Sequence, residues 1–143
     1  MDGLARTVND LERGDVRKAR DRLKGLLVTY PQSREVRTLL AEAYRRDRQW
    51  PEAGRWGYLI GLAATDRERR AFEWHSAYGR RTRITEARLR WLLQIDDLAA
   101  IADDSGRRLL RDLPRKRDRD RREGPFAALS RGAAIFRSKR TWR

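Results

Sequence analysis

An all-α fold is predicted for this 143-residue chain by three features of its sequence. Apolar residues recur three and four positions apart through most of its length, the spacing that lines one face of a helix. Charged and hydrophobic residues each make up 39% of the chain. That mixture suits apolar stripes on charged rods better than a parallel sheet buried on both faces. Glycine and proline fall at the ends of the periodic segments, where helices stop and start. A chain of this length forms one domain and can bury about 70% of the surface its unfolded form exposes.

The first helix carries Leu4, Val8 and Leu11 on one stripe and ends at Gly14, which can adopt the left-handed backbone. Asp15 is placed to accept from the free amides of the second helix, which presents Val16, Ala19, Leu23, Leu26 and Leu27 and stops at Tyr30-Pro31. Ser33 caps a third helix bearing Val36, Leu39, Leu40, Ala43 and Tyr44. A polar run over residues 45–49 leads to Trp50-Pro51, with proline in a first helical turn. The fourth helix has Ala53, Trp56, Ile60 and Ala64 on one side. Its glycines, Gly54, Gly57 and Gly61, each cost about 1 kcal/mol against alanine, so the segment requires close packing against its neighbours.

A shift of 34 residues lays the second hairpin on the first, placing Ala19 on Ala53, Leu26 on Ile60, and Gly14-Asp15-Val16 on Arg48-Gln49-Trp50. Residues 40–53, LAEAYRRDRQWPEA, resemble the tetratricopeptide consensus, whose period is 34. The resemblance implies two tetratricopeptide-like helical hairpins, against the alternative of a generic helical bundle. Thr7 and Asp10 depart from it, standing where a small residue and an aromatic are usual, and Gly57 replaces a bulky core residue. Residues 4–112 also resemble a small group of actinobacterial proteins. In these, a single tetratricopeptide-like segment ending in Ala-Gly-Arg-Trp-x-Tyr-Leu, here residues 53–59, precedes further helices. That likeness implies no activity.

The second half continues as helix. Thr65-Asp66-Arg67-Glu68 is a capping-box pattern, followed by an inward stripe of Ala71, Trp74, His75 and Tyr78 and a stop at Gly79. A basic loop over 80–83 leads to a helix over about 85–95 with Leu89, Leu92 and Leu93 inward and Trp91 beside them. Another spans about 97–113, with Leu98, Ile101, Ser105, Leu109 and Asp112 along one line and Pro114 beyond its end. The organisation expected is a helical domain over 1–113, a basic linker over 114–124, and a short basic amphipathic helix over 125–143. In the last of these, Phe126, Leu129, Ala133 and Phe136 recur at helical spacing.

Charge is unevenly placed. The net charge is +14, and residues 113–143, with 11 basic and 3 acidic side chains, carry +8 of it. Arginine outnumbers lysine 31 to 4, a ratio that codon usage in a GC-rich genome accounts for, although it leaves the net excess unexplained. There are no cysteines, and His75 is the one histidine, so thiolate sites are excluded and no metal or cofactor is expected. Asp2 with no basic-then-apolar run after it, and no apolar stretch of 18 residues, point to a cytoplasmic protein.

No catalytic constellation stands out. His75 lies on an apolar stripe and reads as a buried core residue. Asp96-Asp97 and Asp103-Asp104 are adjacent pairs that diverge by about 100° on a helix, so Asp96 reads as a cap and the others as solvated charges. Four tryptophans lie in or at the start of helices and read as core. Trp142, among Arg140, Thr141 and Arg143, suits stacking on a base or docking into a partner's pocket.

Three modes of binding follow. A non-enzymatic adaptor would use the concave face of the hairpins, with Val8, Leu11, Glu12, Thr38, Glu42, Arg45 and Arg46, the two arginines favouring an acidic segment. Such arrays normally need about three repeats, so the helix over 66–78 must cap this one. The alternative is nucleic-acid or ribosome association through Arg115, Lys116, Arg117, Arg119, Arg121, Arg122, Arg137, Lys139, Arg140 and Trp142. Contact with roughly 6 phosphates would lower affinity about a thousandfold between 50 and 200 mM salt. An anionic membrane surface ranks last, because the apolar face of the tail is short.

Overall fold

The order of helices expected over the first 56 residues is reproduced in space. The computed structural model describes residues 2–76 and 84–114. Tyr78, Gly79, the loop at 80–83, the linker from Arg115 and the C-terminal helix lie outside them. Four helices open the chain: α1 (Asp2–Glu12), α2 (Val16–Thr29), α3 (Arg34–Arg46) and α4 (Trp50–Trp56). Each packs on the next, and α1 also touches α3, as two hairpins laid side by side would. Four more follow: α5 (Asp66–Ser76), α6 (Glu86–Leu93), α7 (Leu98–Ile101) and α8 (Asp104–Arg111). The described residues contain no strand, so the fold is all-α.

Local chemistry sets most of the helix ends. Gly14 takes φ +82° after α1. The Ser33 hydroxyl accepts from the Val36 amide at 3.2 Å. Thr65 and Glu68 form the reciprocal capping box, the Glu68 amide donating to Thr65 Oγ1 at 3.2 Å and the Thr65 amide to Glu68 Oε2 at 2.9 Å. Asp15 departs from expectation: its side chain caps nothing, and only its carbonyl takes part, accepting from the Ala19 amide at 3.0 Å. With ψ near 58° rather than extended, its backbone does not turn the carboxylate toward the open amides.

The hairpins share a core that includes Leu4, Leu11, Leu23, Leu27, Val36, Leu40, Tyr44 and Trp56. Val8, expected on the inward stripe of α1, is 40% exposed, and Thr7 and Asp10 are buried instead. Thr7 is hydrogen-bonded there, and Asp10 is ion-paired although its buried Oδ2 accepts no hydrogen bond. The Thr7 hydroxyl donates to the Gly3 carbonyl at 2.8 Å, and Asp10 sits between Arg22 at 3.0 Å and Lys18 at 3.7 Å.

Two elements end sooner than their periodicity suggests. The fourth helix stops at Trp56 and does not run on to Ala64. At Gly57 the chain folds back so closely that a Cβ there would lie 2.6 Å from that of Ala64. The helix expected over 97–113 is broken at Ala102 and Asp103, both extended, into α7 and α8. Asp103 causes the break by serving two elements at once. Its Oδ1 accepts from the Gly106 amide at 2.9 Å, and its Oδ2 from the Gly61 amide at 2.6 Å. It is therefore no solvated charge, and the cap on α7 is Asp97, accepting from the Ala99 amide, rather than Asp96. A second core assembles around this junction from Tyr58, Leu59, Phe72, Ile84, Leu89, Leu92, Leu93, Leu98 and Ile101.

Candidate interaction surface

Carbonyls at helix ends and in the loops between helices lack a partner within a helix, and in this fold arginines collect them. Arg34 donates to the carbonyls of Ile101 (3.1 Å) and Ala102 (2.9 Å) at the end of α7. Arg37 donates to Pro31 through two nitrogens (3.1 and 2.9 Å) and to Leu93 at the end of α6 (2.9 Å). Arg55 reaches Leu92 at 2.6 Å. Arg69 spans Tyr58, Ile60 and Gly61 at 2.8–3.1 Å. A lysine ammonium has no planar fork with which to hold such sets. The preference for arginine thus has a structural component besides codon usage.

Arg37 is fully buried. Its guanidinium lies 5.7 Å from the centre of the Trp56 ring, and that of Arg55 lies 4.6 Å from it. Burial, followed by the charge of Arg55, pushes the Arg37 pKa down to about 10, which leaves it protonated at neutral pH.

The face expected to bind a partner proves to be partly scaffold. Val8 and Glu12 are exposed, and Thr38 is half-buried, its hydroxyl donating to the Arg34 carbonyl at 2.8 Å. Leu11, expected on that face, is 4% exposed and belongs to the core. Arg45 donates to both oxygens of Glu68 (2.6 and 2.8 Å), to Glu42 (2.6 Å) and to the Ala63 carbonyl (2.9 Å). Arg46 donates to Glu42 (2.9 Å) and to the Leu11 carbonyl (2.7 Å). Both arginines thus have partners within the fold, and Arg46 remains exposed. The Glu68 carboxyl is held below its ordinary pKa, first by the hydrogen bonds from Arg45, which outweigh burial. In Glu42 burial acts upward but loses to the bonds from Arg46 and Arg45.

Helix α5 reverses its expected orientation. Ala71, Trp74 and His75 were to face inward, but Glu68 and Phe72 do so, and Trp74 and His75 are exposed. The physical reason lies in α4. At Gly54 a Cβ would meet the Glu68 carbonyl oxygen at 2.0 Å, so glycine lets the α5 backbone lie directly on α4 at Glu68. The Arg45 pair then draws the Glu68 side chain in, and Phe72 follows one turn later, edge-on to Tyr58 at 5.2 Å. Gly54, Glu68 and Phe72 were the signals for this orientation; periodicity alone favoured the wrong face.

The turn of α5 sends three side chains outward in one row, Arg67, Arg70 and Trp74, at i, i+3 and i+7. The helix's own acids pair with other groups. Glu73 accepts from the Tyr58 hydroxyl at 2.7 Å, and Asp66 pairs with Arg69 at 3.6 Å. Among the described residues no carboxylate lies within ion-pair distance of Arg67 or Arg70. Tryptophan elsewhere is also at the surface. Trp56 is core, but Trp50, Trp74 and Trp91 are 41%, 65% and 68% exposed, which corrects the expectation that all four pack inside. Trp91, with Arg88 4.7 Å above its ring, borders an open depression of about 530 Å3 shared with Arg55, Arg90 and Gln94.

Among the described residues no three acidic or histidine side chains gather as a metal site requires, and no helix is long and apolar enough to cross a membrane. The proposed nucleic-acid contacts, Arg115, Lys116, Arg117, Arg119, Arg121, Arg122, Arg137, Lys139, Arg140 and Trp142, all lie outside the described residues. The model of a family of unknown function (DUF6584) matches residues 1–125, so the match runs through the basic linker, beyond the 4–112 span of the sequence resemblance. No curated protein and no solved structure gives a match.

Proposed function

The chain belongs to this family of unknown function, and from the geometry of its own body we propose that it is a non-enzymatic, cytoplasmic adaptor that binds a protein partner through the surface of its helical hairpins. The observation that carries the reading is the exposure of Trp50 on the second hairpin, continued by Trp74 and Trp91 on α5 and α6, the helices that follow it. Tryptophan and arginine are the side chains most enriched where protein interfaces concentrate their energy. The 34-residue offset between α1–α2 and α3–α4 supports a tetratricopeptide-like reading, an architecture that presents binding faces. The acids that would serve a reaction are occupied: Asp10, Glu42, Glu68 and Asp103 all hold arginines or backbone amides.

A second reading, nucleic-acid or ribosome association, is favoured by the net +8 of residues 113–143. Exposed tryptophans also serve as stacking platforms for bases. One experiment separates the two. Anisotropy of labelled single- and double-stranded oligonucleotides is followed across a salt series with the full chain and with a chain ending at Leu113. Micromolar binding near 150 mM salt that disappears with the tail overturns the adaptor reading as the principal one. For the adaptor, a partner captured by the full chain and reconstituted from purified components should be lost when Trp50, Trp74 and Trp91 are changed together to serine. Retention of that partner would sink it.

A further inference from the structure

Among the described residues the hairpin series stops halfway. Helix α2 covers α1 and α4 covers α3, but α5 packs on α4, and α6, the next described helix, contacts α4 rather than supplying α5 with an equivalent partner. The outward row of α5 is Arg67, Arg70 and Trp74, with Ala71 beside it. We propose that this row is a docking site for an acidic amphipathic helix of a partner protein, which lies along α5 as the second helix of a third hairpin. The inference rests on the adaptor reading and names its site and the chemistry of its partner.

Charge sorting on α5 is what selects the partner. Two acids of the helix are turned into the fold, Glu68 to Arg45 and Glu73 to the Tyr58 hydroxyl, while the exposed Asp66 pairs with Arg69. The two cations of the row have no such answer among the described residues; Arg70 Nε reaches only the Asp66 carbonyl, at 3.3 Å. Carboxylates one turn apart on an incoming helix would meet Arg67 and Arg70, each guanidinium offering a fork that fits a carboxylate. An apolar residue of that helix would cover the ring of Trp74, now 65% in water. Ala71 leaves room beside the ring for the helices to approach. The chain's own C-terminal segment is the wrong occupant by charge, since Arg131, Arg137, Lys139 and Arg140 would oppose Arg67 and Arg70.

The test is selection from a random peptide display library on the immobilised full chain, followed by affinity measurement of the selected peptides. Peptides rich in Glu and Asp around a helical apolar stripe are expected. Their affinity should fall at least about tenfold for Trp74→Ala and for Arg67→Glu with Arg70→Glu. A charge-reversed pair at the junction of α1 and α2, Arg13→Glu with Arg17→Glu, both exposed and in no ion pair among the described residues, should leave it unchanged. Thermal unfolding of each variant checks the fold, and these exposed positions should tolerate the changes. Acidic peptides indifferent to the α5 variants would overturn the site while leaving the adaptor reading intact. Failure to select any peptide would count against both. Loss of single-stranded oligonucleotide binding in the α5 variants, or of self-association measured by sedimentation, would reassign the row to nucleic acid or to a second copy.

Discussion

Arg45 grips Glu68 with both arms of its guanidinium, at 2.6 and 2.8 Å, and so fastens α3 to the first turn of α5. Glu68 is 3% exposed, and its remaining bond is the one that closes its own capping box. Removing the arginine therefore strands a buried carboxylate. Arg45→Met should cost about 3 kcal/mol, read as a lower urea midpoint with unchanged slope. Arg45→Lys should recover less than half of the loss, because one ammonium cannot serve Glu68, Glu42 and the Ala63 carbonyl together. Full recovery by lysine would show the pair to be a simple charge contact.

Acid should loosen the same junction. Glu68, Glu42 and Asp103 all have folded pKa values below their ordinary ones. For Asp103 burial acts upward, and the amides of Gly106, Gly61 and Ser105 outweigh it. A depressed carboxylate contributes stability that is present above its unfolded pKa of about 4 and is lost as pH falls through its folded value. Urea midpoints should accordingly be flat from about pH 5 to 8 and fall below about pH 4. Glu68→Gln should make that acid limb shallower. A profile flat to pH 2 would contradict the assignment.

Close approach at glycine is testable without touching any charge. A Cβ at Gly54 would stand 2.0 Å from the Glu68 carbonyl oxygen, and one at Gly106 2.0 Å from that of Leu59. Both obstacles are backbone and cannot swing aside. Gly54→Ala and Gly106→Ala should each destabilise by about 2–3 kcal/mol despite the better helix propensity of alanine. Gly25→Ala, where a Cβ meets nothing within 4 Å, should stabilise α2 instead. Thermal melts of the three variants give the comparison.

Arg37 joins the two cores. Its donors hold Pro31 before α3 and Leu93 at the end of α6, and its stem is wholly inside. Arg37→Met keeps volume but orphans both carbonyls, and should cost about 2–4 kcal/mol. Hydrogen exchange should then speed up at the C-terminal end of α6 as well as in α3, because the bond crosses between them. A change confined to α3 would mean that the Leu93 contact holds nothing.

The tryptophans divide by role. Trp56→Ala should cost about 3–5 kcal/mol, since this ring is packed between hairpins. Trp74→Ser and Trp91→Ser should stay within about 0.5 kcal/mol of the parent chain. Equal losses in all three would mean that the exposed rings carry the fold.

The sequence by itself determined what depends on neighbours within a turn or two. Gly14 ends α1 because only a residue without Cβ enters its φ cheaply. Ser33 and Thr65 start α3 and α5 because a hydroxyl three residues upstream reaches a free amide. Leu89, Leu92 and Leu93 turn inward together because helical spacing puts them on one face. Tertiary structure alone decided which stripe of α5 is buried, since that rests on Gly54 across the interface and on an ion pair 23 residues apart in the chain. It also decided that the expected single helix breaks at Asp103, whose second partner, the Gly61 amide, comes from 42 residues away. The arginines mark the boundary most clearly. Their sequence shows a cation and nothing of its partner, and Arg34 meets the Ile101 carbonyl across 67 residues. Whether such a charge greets another molecule or closes this one depends on what the fold brings opposite it. That choice left Arg67 and Arg70 without an acid opposite them among the described residues and gave Arg45 and Arg46 partners within the fold.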